Sequence, residues 1–314
     1  MDTVHRKRRN RRMTAIAGFK CVDGVVIAGD TEETYGNDKV YAHKLFPADR
    51  KNSRLCVAGA GLAYLIDYAN AQIVSALDSG ITNVKDFESA LADTMEGLYE
   101  TKFKHYPLDP GQSLQIQLLV GAQFANEGDQ SKWGKPALFE CQSNLVTQIK
   151  RTKQSCILGA GEVLKQSIVQ LASWGLTAAL AEWASIYLIH EAKRRLGGAG
   201  GKTHVFVMKN DGKFSYNLGK NIDEKESILG LFSRSSELLM LSLDPSVTDA
   251  KANDFLRAGV QWLRDARREL KRLERSDQTG KHRSITIHDR EIEKMIKALN
   301  AVMQSTAQKS EEGK

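Results

Sequence analysis

The chain has 314 residues, of which 41% are hydrophobic and 26% are charged. This composition is ordinary for a globular protein, and the length allows one large domain or two of average size. No stretch approaches the roughly 18 apolar residues of a membrane span, and the basic N-terminus lacks the apolar segment of a secretory signal. We therefore expect a cytoplasmic protein. The cysteines stand singly and are expected to be buried, reduced thiols: Cys21, Cys56, Cys141 and Cys156.

The net charge of +7 raises the alternative of nucleic-acid binding. Much of the positive excess lies in residues 6–12, and the basic residues of 262–277 alternate with acidic ones. A helix of mixed charge is typical of a solvated or packing face, and no pattern of interleaved aromatic residues accompanies the basic run. Nucleic acid is therefore the partner class that the sequence favours least.

The first structured segment runs from Thr14 to Asp30, after a basic stretch, residues 1–13, with too few apolar side chains to pack. Its β-branched and small apolar residues predict two strands joined at Val22-Asp23-Gly24, where Asp-Gly is a strong hairpin signal. Thr14 stands at the start of the first strand, and Asp30 closes the second strand as a single carboxylate after an uncharged run. These two ends are the candidate positions for chemistry.

The following segments predict further strands and then helices. A polar link over 31–38 leads to a third strand at about 39–46, a turn at 47–52 and a fourth strand at 53–61. Helical spacing of apolar residues begins at Leu62 and stops at Gly80. A second helix follows, with Thr82 or Asn83 as its cap, and Pro107 forbids its continuation.

The same alternation is predicted to repeat in the next hundred residues. The expected elements are a strand at 113–124, a polar loop at 125–135, strands within 136–151 and 156–161, helices at 162–173 and 177–195, and a hairpin at 202–217. This order suits two face-to-face sheets with a helical pair on each outer side, an α+β fold of the four-layer αββα type. Beyond residue 217 we expect a helical extension, 218–314, with helices at about 222–243, 248–276 and 288–308.

Three stretches together resemble the beginning of a proteasome β-type subunit: MTAIAGFKCVDGVVIAGDTEETYGN, HKLF and CVAGAG. The likeness extends in element order over 14–217. It implies membership of the N-terminal-nucleophile hydrolase superfamily, the αββα fold, and stacked rings that enclose a proteolytic chamber. It also implies peptide substrates and partners that are copies of the chain or related subunits, with an ATP-dependent unfoldase as a further partner. No cofactor and no metal are expected.

The resemblance assigns a role to each of four residues. Thr14 falls on the catalytic N-terminal threonine, Asp30 and Lys44 on its supporting aspartate and lysine, and Gly59 on the glycine whose backbone N–H serves the oxyanion hole. The chemistry is sound in its own terms, because a free α-amino group with a pKa near about 8 is a usable base for a hydroxyl nucleophile. A nearby lysine lowers the proton affinity of that hydroxyl, a carboxylate orients the lysine, and an aimed N–H stabilises an oxyanion.

The sequence departs from the family pattern in two segments. Ala160, Leu196 and Ala199 stand where the resemblance implies a serine, an aspartate and a second serine that support the nucleophile. A proton network without its orienting groups loses activity, so the site is expected to be weak, differently wired or inactive. Met13 precedes Thr14 where a glycine is usual, which leaves two hypotheses: translation starts at Met13, or residues 1–13 are a propeptide that is cut off.

The leading hypothesis from the sequence is a threonine endopeptidase in a self-compartmentalising ring. The alternative is a catalytically weak or inactive structural subunit of the same kind. An amidase that acts on small molecules with the same nucleophile is a third, weaker hypothesis.

Overall fold

We describe the protein from a computed structural model, which covers residues 14–35, 38–105, 116–126, 129–142, 145–149, 155–159, 175–196, 199–242 and 247–279. The strands are β1 Ala15–Lys20, β2 Gly24–Asp30, β3 Glu32–Tyr35, β4 Asp38–Tyr41, β5 Leu45–Asp49, β6 Ser53–Ala60, β7 Gln117–Asn126, β8 Asp129–Trp133, β9 Ala137–Gln142, β10 Leu145–Gln148, β11 Ser155–Gly159, β12 Thr203–Lys209 and β13 Phe214–Asn217. The helices are α1 Ala63–Asp78, α2 Val84–Leu98, α3 Ala178–Arg195, α4 Lys220–Ser242 and α5 Asp249–Thr279, and a π-helical turn, Tyr99–Phe103, continues α2.

The described strands form two antiparallel sheets and a separate hairpin. The five-stranded sheet has the order β11-β1-β2-β12-β13, and the six-stranded sheet has the order β10-β9-β7-β6-β5 with β8 paired to β7. Strands β3 and β4 pair only with each other among these strands. All seven residues of β2 are buried, which suits a central strand covered on both faces. Its last residue, Asp30, is therefore held at the end of the most enclosed strand of its sheet.

Three buried clusters hold these elements together. One contains side chains from both sheets, among them Ile16, Ile27, Leu119 and Phe206. A second packs α3 against the five-stranded sheet, and a third packs α1 and α2 against the six-stranded sheet. The fold is thus α+β with antiparallel sheets. The helix expected over 162–173 lies outside the described residues, so the full four-layer αββα arrangement stays a prediction.

Local sequence signals explain where the helices begin. The Asn83 side chain accepts a hydrogen bond from the Asp86 N–H at 3.0 Å and caps α2. The Thr177 hydroxyl caps α3 by accepting from the Leu180 N–H at 3.3 Å. A second oxygen reaches the same end of α3, because Asp23 in the β1–β2 turn accepts from the Ala178 N–H at 2.6 Å. The first hairpin is therefore tied to a helix that begins 155 residues later.

Several expected boundaries are wrong. The third strand, expected at 39–46, is divided between β4 and β5, because β4 pairs with β3 whereas β5 pairs with β6. The polar link over 31–38 contains β3 and the first residue of β4, the expected turn at 47–52 supplies the end of β5, and the polar loop over 125–135 contains β8. Polar composition misled the prediction because these strands lie partly at the surface, where alternation of apolar residues is weak.

The first helix of the extension begins at Lys220, close to the expected start at about 222. Helix α4 buries Ile222 and Leu229 in the cluster that also contains α3. The chain divides into two units, 1–263 and 264–314, and in the second the structure describes the end of α5, where Arg268 pairs with Asp265 at 3.1 Å. The helix expected at 288–308 lies outside the described residues.

Candidate active site

Asp30 is the centre of the buried polar cluster at the end of β2. Its side chain is fully buried. One carboxylate oxygen accepts from the Ala15 N–H at 3.0 Å and from Lys44 Nζ at 2.9 Å, and the other accepts from the Gly200 N–H at 3.0 Å and the Glu32 N–H at 3.3 Å. A buried carboxylate requires such donors, and here they come from four separate places in the chain.

Lys44 lies in the break between β4 and β5 and points its ammonium group at Asp30. Its side chain is 3% exposed, and it also donates to the backbone carbonyl of Glu32. The amino group of Lys44 is thus oriented by a carboxylate and a carbonyl.

Thr14 directly precedes β1 and is partly exposed. Its neighbour Ala15 is fixed on both sides, because the Ala15 N–H bonds to Asp30 and the residue pairs with Gly159 of β11. The structure therefore brings Asp30 and Lys44 into direct contact and joins Thr14 to them through the backbone of Ala15. Residue 13 lies outside the described residues.

Gly59 lies in the other sheet, next to the residue that pairs with Leu45. The pairing of β5 with β6 ends with Leu45 opposite Ala58. Gly59 lies one residue beyond that last pair, near Lys44, which directly precedes β5. A Cβ atom on Gly59 would lie 2.4 Å from Ile66 Cγ2 of α1, which excludes a side chain there. Close packing of α1 is thus a structural reason for this glycine, beside the role that the resemblance implies.

The loop before β12 supplies contacts that the sequence did not reveal. Besides the bond from its N–H to Asp30, Gly200 accepts from the backbone N–H groups of Thr31 and Glu32, at 3.3 and 3.2 Å. A Cβ on Gly200 would lie 2.2 Å from Glu32 Oε2, so a side chain there would require the Glu32 carboxylate to move. The next residue, Gly201, has φ +70°, a conformation that favours glycine. The glycine pair is the signal that could have located this contact.

Leu196 and Ala199, for which the sequence resemblance implied polar residues, follow α3 and begin this loop. Ala199 is buried against the α3 cluster, and Leu196 packs beside it. Neither side chain can donate or accept a hydrogen bond, so the loop's polar contact with Asp30 is made by backbone alone. Ala160 lies outside the described residues.

Glu32 is a second buried acid next to this pair. Its side chain is 7% exposed, and one oxygen meets Lys39 Nζ at 2.8 Å. Both its backbone groups contact the site, since the N–H donates to Asp30 and the carbonyl accepts from Lys44. The sequence reading assigned no role to Glu32, because it fell in the segment that was expected to be a loop.

Two histidines and a tyrosine lie close to the candidate site, either along the chain or across the sheet. Tyr216 Oη is 3.1 Å from Nδ1 of His204 and 3.5 Å from Nδ1 of His43. Mainly because these side chains are buried, the pKa of His204 is lowered to about 4 and the pKa of Tyr216 is raised to about 12. His204 and Tyr216 are therefore neutral near pH 7.

The described cysteines fit the expectation of buried thiols. Cys21, Cys56 and Cys141 are free and buried, and burial raises the pKa of Cys21 to about 12. Across the part of the chain that the structure describes, no group of three metal-ligating side chains was found. Within the same part, no helix has the length and apolar character needed to cross a membrane.

The fold resembles solved structures of one class of protein, the proteasome-related Anbu (ancestral beta-subunit) proteins. Anbu from Yersinia bercovieri matches with a TM-score of 0.58 at 15% identity, covering 75% of this chain and 100% of that one. The chain in the helical assembly of the Anbu complex from Pseudomonas aeruginosa matches with a TM-score of 0.61 at 17% identity, covering 76% and 99%. A Gly-1 mutant of Anbu from Hyphomicrobium sp. strain MC1 matches with a TM-score of 0.61 at 14% identity, covering 75% and 99%.

No protein-family model matches the sequence, and neither does any curated protein. The structural likeness, at identities of 14–17%, establishes the fold. It also corrects the resemblance drawn from the sequence. Assignment to the proteasome β-type subunits is wrong, because the structural neighbours are Anbu proteins, which are proteasome-like but form a distinct family.

Proposed function

We propose that the chain is a proteasome-like threonine endopeptidase that works within a self-assembled oligomer, with Thr14 as its nucleophile. The observation that carries the proposal is the buried Asp30–Lys44 ion pair, in which a fully buried carboxylate orients an ammonium group and also binds the residue after Thr14. A buried ion pair costs desolvation energy and is weak evidence for stability, which favours a functional reason for its presence.

In the proposed reaction the Thr14 hydroxyl attacks the carbonyl carbon of a peptide bond. The α-amino group of Thr14, freed from any preceding residue, accepts the hydroxyl proton and later passes it to the leaving amine. The Lys44 ammonium lowers the proton affinity of the hydroxyl, and Asp30 keeps that ammonium in place. The Gly59 N–H is proposed to donate to the developing oxyanion. Water then hydrolyses the ester on Thr14 and restores the free hydroxyl.

The likeness to Anbu supports self-association as the setting for this activity. One of the matched structures is a helical assembly, so an open helical arrangement is proposed beside the closed ring that the sequence resemblance implied. An ATP-dependent unfoldase remains a proposal from the sequence resemblance alone.

Hydrolysis of fluorogenic peptides by the purified full chain tests the proposal. We expect wild-type protein whose N-terminal residue is Thr14 to hydrolyse the peptides. Thr14→Ala should lose this activity, and Thr14→Ser should keep part of it. Intact-mass analysis of the same samples establishes whether Thr14 is the N-terminal residue. Absence of hydrolysis by a sample with a free Thr14, or equal hydrolysis by Thr14→Ala, would exclude the peptidase.

A catalytically inactive structural subunit is the second candidate, and the loop before β12 favours it. Leu196 and Ala199 provide no polar side chain there, so only backbone groups contact Asp30 from this loop. This candidate predicts assembly into oligomers by electron microscopy together with no change in mass after treatment with an inhibitor that modifies N-terminal threonines. A mass increase equal to one bound inhibitor would exclude it.

A further inference from the structure

Two ion pairs join α4, the first helix of the C-terminal extension, to α3. Lys225 Nζ lies 2.7 Å from Glu182, and Lys193 Nζ lies 2.8 Å from Glu226. The four side chains are between 9% and 17% exposed, so both pairs are largely buried. Each glutamate also has a partner in the five-stranded sheet, since Asn217 of β13 donates to Glu182 at 3.1 Å and a residue of β12 donates to Glu226.

The partner of Glu226 in the sheet is Thr203, the first residue of β12. Its side chain is fully buried, and its hydroxyl donates to the Glu226 carboxylate. In the sheet, Thr203 pairs directly with Asp30 of β2. The carboxylate of α4 is therefore connected through one side chain to the strand position opposite the central acid of the candidate site.

The loop before Thr203 is held to the site by backbone contacts. The Gly200 N–H donates to Asp30 at 3.0 Å, and the Lys202 N–H donates to the Thr31 hydroxyl at 2.8 Å. Residues 200–202 thus bind the site at one end, while Thr203 is fixed by Glu226 at the other. Because Leu196 and Ala199 offer no polar side chain, the position of the loop depends on these attachments.

We infer that Glu226 is a positioning residue for the candidate site, and that α4 fixes the loop whose Gly200 N–H holds Asp30. The inference deepens the proposed function and rests on it for its consequence in catalysis. Helix α4 would then support the candidate site in addition to covering α3. Loss of the Glu226 carboxylate leaves the buried Thr203 hydroxyl without its acceptor, and the loop then opens more readily.

Hydrogen–deuterium exchange of the full chain, read by mass spectrometry on peptides that cover 199–203, tests the structural step without any assay of activity. We expect Glu226→Ala to increase exchange there by about tenfold and Glu226→Gln, which keeps an acceptor oxygen, by about threefold or less. Lys225→Met is the matched control, since it breaks the neighbouring ion pair between the same helices. We expect it to leave exchange at 199–203 unchanged.

Equal exchange in Glu226→Ala and the wild type would overturn the inference, as would an equal increase in Lys225→Met. If Glu226→Ala does not fold, Thr203→Val and Thr203→Ser replace it, and protection must be lost in the first and kept in the second. In a sample that hydrolyses peptides, Glu226→Ala should lower kcat by about tenfold with little change in KM. If the wild type hydrolyses no peptide, the proposed function fails, whereas the exchange result still decides the role of Glu226.

Discussion

Two ion pairs of this protein have nearly the same geometry in opposite surroundings. Lys44 and Asp30 are 2.9 Å apart, and their side chains are 3% and 0% exposed. Arg50 and Asp78 are 2.8 Å apart, and their side chains are 44% and 47% exposed. Water can solvate either member of the exposed pair when its partner is lost, whereas each member of the buried pair depends on groups of the protein. The distance between the two charges therefore does not by itself indicate how strongly the protein depends on an ion pair.

Of the variants considered for these pairs, Asp30→Asn should cause the largest loss of stability. The amide nitrogen would face N–H and ammonium donors, and Lys44 would be left charged in a buried position without a carboxylate. We expect the free energy of unfolding to fall by about 4 kcal/mol, measured by urea denaturation. Asp49→Asn, which removes a half-exposed carboxylate beside Arg54, is the control and should change stability far less. Similar losses in both variants would contradict the expected dependence on burial.

Lys44→Met should cost less than Asp30→Asn, because Asp30 keeps its backbone donors from Ala15, Glu32 and Gly200. Methionine also fills much of the space of the lysine stem. We expect a loss of about 2 kcal/mol in the same denaturation experiment. Peptide hydrolysis, if the wild type has it, should be lost in this variant. A loss of stability as large as that of Asp30→Asn would mean that the backbone donors do not support the carboxylate alone.

His204 extends the comparison to a buried group that lacks an opposite charge. Burial lowers its pKa to about 4, below the value of about 6.5 expected in the unfolded chain. Below about pH 6.5 the unfolded chain binds a proton that the folded protein does not, so the stabilisation is complete above that pH and is lost as the pH falls toward about 4. His204→Gln should make the urea midpoint less dependent on pH in this window. The exposed His105→Gln is the control, and an unchanged slope in His204→Gln would refute the assignment.

The exposed pair should give the smallest effect. The Asp78 carboxylate raises the pKa of the Arg50 guanidinium, and the guanidinium lowers the pKa of the carboxylate. Even so, Arg50→Gln should leave the urea midpoint within experimental error, because solvent screens exposed charges. A clear drop that persists in high salt would show that this pair matters more than its exposure indicates.

The sequence predicted those parts of the fold where burial imposes a strict pattern. The spacing of Phe87, Leu91 and Met95 located α2, and the Asp-Gly and Asn-Asp-Gly turns located two hairpins. Strands β3 and β8 were missed because their polar composition resembles that of loops, and β4 was merged with β5 into one expected strand. The sequence resemblance also pointed to the proteasome β-type subunits, whereas the structural neighbours, at 14–17% identity, are Anbu proteins.

The candidate site was predictable where it depends on residue type and not where it depends on tertiary contact. Asp30 and Lys44 were found as residues in a motif, and the structure places them in one ion pair. The contacts of Gly200, Glu32 and Glu226 come from segments far apart in the chain, and a single sequence contains no signal of such pairings. The roles of Thr14, Asp30, Lys44 and Gly59 in a reaction stay predictions.

The order of the strands in the five-stranded sheet determines when the site can form during synthesis. Strand β2 lies between β1 and β12, and the Gly200 N–H that binds Asp30 is 170 residues further along the chain. At synthesis rates of roughly 5 to 20 residues per second, the ribosome needs roughly 10 to 35 seconds to make that interval. Until then Asp30 lacks both a central position in the sheet and one of its donors. A nascent chain therefore carries the motif residues without an assembled site, and it acquires one only after the strand that completes the sheet has been made.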